Sequence, residues 1–390
     1  MRTFGKWLGR ILLALILAAV VVGFWKRDEI TRLLAVNSLF SEDKIVTNFS
    51  HMDRAFLSTP VSRGTGPTTE LTYGAEFTLP PQVDDWIAQR DVTALVILKD
   101  GEIVYENYFK GTAPEDRRIS WSVAKSYLSA LVGILLEEGQ IASLDDQVTQ
   151  YAPLLIGTAY DGATIRNVLN MASGVTFDED YLDKNSDINR MGRVIALGGE
   201  LDAFAASLKD SFAKPGTKWQ YVSIDTHVIS MVIRGATNRS IPDLLSEKII
   251  APMGLEREPY YLTDGSGVAF VLGGLNLTTR DYARMGQMFL QNGMYNGQQI
   301  VPADWVAAST APTAPSEAGA IGYGYQWWVP KGAAQGEFMA RGVYGQYIYI
   351  NQADGVVIAT NGADRKFRNP GVADQNVETF RLISATLGGQ

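Results

Sequence analysis

Two pairs of strands near opposite ends of the chain constrain the fold more than any other feature. Thr93-Ala94-Leu95-Val96-Ile97-Leu98 is an unbroken apolar run, Lys99-Asp100-Gly101-Glu102 follows, and Ile103-Val104-Tyr105-Glu106-Asn107-Tyr108 returns. Two such runs joined by a tight turn centred on Asp-Gly predict a β-hairpin. Near the carboxyl end, Gln346–Asn351, the turn Gln352-Ala353-Asp354-Gly355 and Val356–Thr360 repeat the pattern. From about Ile141 to Asn296 the period changes. Ile165–Met171, Leu201–Leu208, Asp225–Ala236, Ile241–Ile250 and Thr279–Gln291 have helical spacing, and Val372–Leu387 is a last amphipathic helix. Strands at both ends with helices between predict an α+β fold: an antiparallel sheet flanked by helices, with an inserted, mainly helical subdomain at about 141–320. The cleft between the two parts is where a site is expected.

Several function classes fall away on composition. The 390 residues carry a net charge of -8 and no basic stripe interleaved with aromatics, which argues against nucleic acid as a partner. There is no cysteine, so disulfides, thiolate metal sites and a cysteine nucleophile are excluded. The two histidines, His51 and His227, lack metal-ligand spacing, and no metal or other cofactor is expected. A Ser-His-Asp triad would need one of them, and no Gly-x-Ser-x-Gly turn supplies its serine.

The first 30 residues read differently from the rest. Arg2, Lys6 and Arg10 precede an apolar run from Ile11 to Trp25, closed by Lys26-Arg27-Asp28-Glu29. A basic head and an apolar run are export features. Trp7, Leu8 and Gly9 lengthen the run toward a span, with Arg10 snorkelling. No Ala-x-Ala site precedes the charges, and Val21-x-Gly23 is a poor substitute. Residues 1–30 are therefore expected to be a signal-anchor in the cell membrane, with the remainder on the extracytoplasmic, periplasmic side; secretion after cleavage is the alternative. Residues 31–80, rich in Thr, Ser, Gly and Pro, are expected to be a linker and surface extension, and residues 81–390 the working domain.

Chemistry concentrates at Trp121-Ser122-Val123-Ala124-Lys125-Ser126-Tyr127, the start of a predicted long helix. Ser122 and Lys125 are three apart and share a helix face. A serine hydroxyl needs a base, and a lysine partly desolvated in a cleft can serve, because burial disfavours its charged form. Pro215-Gly216 turns the chain toward Tyr221 and Ser223 just before a helix; a tyrosine beside a lysine ammonium would have its phenolate favoured. Later, Arg341-Gly342-Val343-Tyr344-Gly345 brings glycines to the approach of a strand. An edge amide there, with that of Ser122, could form a two-donor oxyanion hole. Taken singly, these segments also fit a helix cap with a surface cation, a packing tyrosine and a plain edge strand.

Taken in order, Ser122-Val-Ala-Lys125, Tyr221-Val-Ser223 and the glycine-flanked late strand resemble the serine β-lactamase and penicillin-binding-protein superfamily. The resemblance is strongest to its 6-aminohexanoate-dimer hydrolase and class C-related esterase branch. Leu98–Glu106, Leu144–Val148, Leu169–Gly174, Asp178–Tyr181, Gly273–Asn276 and Arg280–Gly286 extend it over about residues 80 to 390. The resemblance implies a β-lactamase/transpeptidase-like fold and acylation of Ser122. Lys125 and Tyr221 would share the proton, and the amides of Ser122 and Val343 would hold the oxyanion. It also implies that Tyr181, Ser223, Trp328, Asn276 and Gly345 border the substrate.

Two departures steer the expected activity. Ser223 stands where penicillin-recognising members carry asparagine, and Gly342-Val-Tyr-Gly-Gln346 replaces Lys-Thr-Gly, removing the cation that grips a carboxylate. A small-molecule ester or linear amide is thus the expected substrate, and penicillin-binding or β-lactamase chemistry the alternative. A catalytically silent envelope binding protein is the reading from another class, opposed by the intact Ser122, Lys125 and Tyr221. The acidic pairs Asp145-Asp146 and Glu179-Asp180 read as a helix-capping turn and a loop around Tyr181, not as a glycosidase pair. Oligomeric state leaves no signature.

Overall fold

The computed structural model describes residues 2–317 and 319–389. Its principal elements run as follows in chain order. Helices α1 (Arg2–Trp25) and α2 (Arg27–Asn37) precede strand β1 (Ser58–Pro60) and helix α3 (Pro81–Gln89). Strands β2 (Val92–Lys99), β3 (Glu102–Tyr108) and β4 (Arg118–Ile119) lead into helices α4 (Ala124–Glu137), α5 (Asp187–Ala196) and α6 (Ser223–Thr237). Strands β5 (Tyr260–Leu262) and β6 (Leu275–Leu277) and helix α7 (Thr279–Leu290) follow. Strands β7 (Gly322–Tyr323), β8 (Trp328–Val329), β9 (Glu337–Gly342), β10 (Gln346–Asn351) and β11 (Val356–Gly362) and helix α8 (Val372–Gly388) complete the chain.

Both expected hairpins form and meet in one antiparallel sheet, ordered β3-β2-β11-β10-β9-β8-β7. β2 pairs with β11 so that Ile97 faces Ile358 and Val96 faces Ala359. Because side chains alternate along a strand, the sheet has two apolar faces. Leu95, Ile97, Tyr349 and Ile358 pack against Trp86 of α3 and Phe380, Ile383 and Leu387 of α8. Val96, Leu98, Ile348 and Val357 point the other way, into the main core. There α7 lies close on the strands: a Cβ at Gly286 would stand 2.4 Å from a Val357 methyl, so only glycine permits this approach. A central strand buried on both faces explains why β2 reads as a continuous apolar run.

Two expectations are corrected. The stretch 141–320, expected to be a mainly helical insertion, is not a separate unit. β5 and β6 lie within it and join β1 and β4 in a small antiparallel sheet, and α7 belongs to the large sheet. Residues 31–80 are not merely a linker. Leu39, Ile45, Phe49, Met52 and Val61 are all buried in the main core. Their apolar side chains sit on short turns separated by polar residues, so no helix or strand period betrays them. Arg118, fully buried, donates to the Val46 carbonyl at 2.6 Å and the Ser50 hydroxyl at 2.7 Å, which fastens this segment to β4.

At the amino end, Gly9–Trp25 and Ile30–Asn37 meet at a bend of 73°, and no single helix among the described residues is long and apolar enough to cross a membrane.

Phe49 tests the correction. Its ring contacts those of Trp121 at 5.6 Å and Tyr344 at 5.3 Å between centroids. Phe49→Ala should cost about 3–5 kcal/mol in urea unfolding. A loss under about 0.5 kcal/mol, the usual value for a surface site, would restore the linker reading.

Candidate active site

The nucleophile candidate sits on a strained turn. Trp121–Val123 is a single 3-10 turn that runs directly into α4. Trp121 has φ of 43°, a left-handed conformation that costs a bulky residue about 1–3 kcal/mol and is kept only where the surroundings enforce it. Phe40, Phe49 and Tyr344 surround the Trp121 ring and hold the turn. Ser122 follows, and one helical turn later Lys125 is 1% exposed.

Lys125 Nζ donates to the Leu272 carbonyl at 2.7 Å, and lies 3.3 Å from Ser122 Oγ and 3.5 Å from Ser223 Oγ. Burial pushes its pKa down to about 7, against the opposing pull of the Glu179 and Asp225 carboxylates. A large fraction is therefore a neutral amine near pH 7. With one hydrogen fixed on Leu272, its lone pair is free for the Ser122 proton.

Tyr221 arrives from the turn before α6. Its ring is stacked on Trp328, with centroids 5.2 Å apart and planes 24° apart, and Tyr323 meets it edge-on. Lys125 Nζ is 5.5 Å from the ring centre. Burial raises the phenol pKa well above its ordinary value, although a hydrogen bond with Ser122 works the other way. The expected phenolate is not favoured by this environment: desolvation lowers the Lys125 pKa and raises that of Tyr221.

Strand β9 closes the site from the other side. A Cβ on Gly342 would stand 2.7 Å from the Ser120 carbonyl and 3.1 Å from the Ser122 nitrogen, so the strand end touches the Ser122 backbone only because this residue is glycine. Val343 follows and lines the same apolar cavity as Ser122, Tyr181 and Ser223. Ser223, the first residue of α6, is buried.

The other candidates have different places. Trp328 buttresses Tyr221 rather than lining that cavity. Asn276 is not at the site: it is fully buried in β6, donates to the Gly274 carbonyl at 2.9 Å and serves the small sheet. Gly345 is not at the site either. With φ of 91° it turns the chain between β9 and β10, close to Gly362 and Asp364. His227 bonds Asp202 at 2.7 Å and makes no bond to Ser122. Asp145 pairs with Arg166, and Asp146 accepts from Tyr151.

Sequence reasoning missed Glu179, taken only as part of a loop. Its carboxylate is bonded by the Ser223 backbone N–H and the Tyr181 hydroxyl and acts on Lys125. Burial raises its pKa and the Lys125 charge lowers it. The signal was an acid two residues before Tyr181 in a family-like stretch, but nothing local points it at Lys125. Gln326 was missed as well. With φ of 66°, it accepts from Ser126 through its carbonyl and from Thr226 through its side chain, tying α4 to α6 and so Lys125 to Ser223.

Comparison with known proteins bears on the family and the fold. A family model described as Beta-lactamase matches residues 83–376. The 6-aminohexanoate-dimer hydrolase of Paenarthrobacter ureafaciens is 29% identical over 293 residues, covering 71% of this chain and 74% of that one. A D-aminopeptidase of Brucella anthropi is 27% identical over 171 residues, but the match spans only 31% of that protein. Among solved structures, a Bacillus anthracis protein provisionally assigned as a 6-aminohexanoate-dimer hydrolase superimposes with a TM-score of 0.78 at 24% identity, covering 90% of this chain and 96% of that one. EstCE1, a hydrolase with promiscuous acyltransferase activity, gives 0.61 at 16% identity over 76% and 95%. The sheet, the serine-lysine turn and the extent of the family match lead to one assignment: the chain belongs to the β-lactamase family and is a serine hydrolase of the β-lactamase/transpeptidase fold.

Proposed function

We propose that this chain cleaves a linear amide or an ester through a Ser122 acyl-enzyme. The observation that carries the reading is the buried Lys125 amine, 3.3 Å from Ser122 Oγ and brought by desolvation to a pKa of about 7. Neutral Lys125 takes the Ser122 proton as Oγ bonds to the substrate carbonyl carbon. The backbone N–H groups of Ser122 and Val343 donate hydrogen bonds to the oxyanion. Protonated Tyr221 gives its proton to the leaving amine or alkoxide as that bond breaks, and is reprotonated from Lys125. Water then attacks the acyl carbon, passes its proton back along the same pair, and the carboxylic acid leaves Ser122 free.

A second reading, penicillin-type substrates, has one observation in its favour. Arg341 lies over Trp328 at 5.4 Å, and its charge bears on Tyr221, so a cation does stand on the leaving-group side although Lys-Thr-Gly is missing. Stable labelling of Ser122 by a fluorescent penicillin would favour it.

The envelope location is proposed from the basic, apolar amino-terminal sequence and the charged residues that close it. In fractionated cells the full-length protein should remain with membranes until detergent is added, and an external protease should reach it. A soluble form beginning after about residue 25 would mean secretion instead.

The mechanism makes a pH prediction. Lys125 is active as the neutral amine, so kcat/KM for a p-nitrophenyl ester should rise with pH through about 7 and level above it. The Glu179 carboxylate favours the ammonium, so Glu179→Gln should move this limb to lower pH. Ser122→Ala should lower the rate at least about a thousandfold at every pH. A flat profile from pH 5 to 9, or a Glu179→Gln limb moved upward, would contradict the assignment of Lys125.

A further inference from the structure

An apolar cavity of about 260 Å³ opens beside Ser122. Its walls come from three distant parts of the sequence: Leu39 and Phe40 after α2, Ile188 and Met191 on α5, and Phe270 and Leu272 between β5 and β6. Among the residues that line it, Arg193 alone is charged, and its guanidinium is exposed and turned to the Lys184 carbonyl at 2.6 Å. A substrate ammonium or carboxylate would thus find no partner inside, and would lose its hydration. Ser122 and Val343 line this space, whereas Tyr221 and Trp328 do not. The leaving group must lie against the Tyr221 hydroxyl to be protonated, so the cavity receives the other half of the substrate, the acyl half.

We infer that the cavity is an acyl-chain site and that the preferred substrates carry an unbranched, uncharged alkyl acyl group of medium length. At ~30 Å³ for a methylene, about that of a water molecule, there is room for on the order of eight carbons. The inference rests on the hydrolase reading above and names the substrate class for that same site. The amino-terminal segment has a functional role here, since Leu39 and Phe40 form the wall that connects directly to the two leading helices.

The test is a series of p-nitrophenyl esters, acetyl to dodecanoyl, on the full-length protein. Each methylene that leaves water should raise kcat/KM by up to about fourfold, and at least tenfold is expected between acetyl and octanoyl before the series levels. Gly192 lines the cavity from α5, and a Cβ built there meets nothing within 4 Å. Gly192→Phe should fill the space without a backbone clash and lower the octanoyl-to-acetyl ratio at least tenfold. Both esters are read on one preparation, so any unfolded fraction cancels from the ratio. A monomeric ester and a lipid surface can present the same chain; p-nitrophenyl octanoate in buffer and octanoyl esters carried in phosphatidylcholine vesicles separate the two sources, and the chain-length preference in either supports the inference. Acetyl ester turnover with no preference for longer chains, or a preference that survives Gly192→Phe, overturns the acyl site and leaves the hydrolase reading standing. No turnover of any ester or amide by a folded protein overturns both.

Discussion

Removing an ammonium group from water is expensive, and the site depends on that expense falling on Lys125. At the surface this side chain would hold its proton far above neutral pH and could not act as a base. Enclosed by α4, the first turn of α6 and the Leu272 loop, it is brought down to about 7, with one carbonyl bonded to it and two buried carboxylates at longer range. The carboxylates matter as moderators. Glu179 and Asp225 each favour the charged form, and without them burial would push the amine lower still. Asp225 is itself held by Tyr160 at 2.7 Å and Ser173 at 2.9 Å, so the electrostatics are anchored in the helical part of the molecule.

Three left-handed, non-glycine residues border the same enclosure. Trp121, Gln326 and Tyr344 all have positive φ, and all three border the site or its supports. The turn at Trp121 places Ser122 beside Lys125, Gln326 joins α4 to α6, and Tyr344 follows the strand end that touches the Ser122 backbone. Aromatic packing keeps these conformations in place: Phe40 stacks on Tyr344 at 5.2 Å, and Phe49 wedges against both Tyr344 and Trp121. The segment before residue 80 therefore contributes to the geometry of the Ser122 turn as well as to the core.

Much of this was legible in the sequence, and the rest was hidden for identifiable reasons. The hairpins, α6, α7 and α8 announce themselves by period and by turn residues, and Ser122, Lys125 and Tyr221 by spacing and resemblance. Phe49 and Met52 were not legible, because isolated apolar residues on short turns carry no period. α5 is absent from the expected helices: Ile188, Met191 and Ile195 do keep helical spacing, but the element is short, carries Gly192 and is rich in polar residues. Glu179 could not be separated from its acidic neighbours, since only the fold brings it to Lys125. Asn276 and Gly345 lay in family-like stretches, and strand pairing and turn geometry account for both. Lys125 and Tyr221 both stand beside Ser122, but the opposite shifts that burial gives their pKa values are encoded by no motif.

The central claim is that a desolvated Lys125 activates Ser122. The most direct measurement is intact-protein mass spectrometry after exposure to a fluorophosphonate probe, with peptide mapping of the adduct. The account predicts a single adduct on Ser122 in the parent protein and none in folded Lys125→Ala. Equal labelling of Lys125→Ala, or an adduct on another serine, would contradict it.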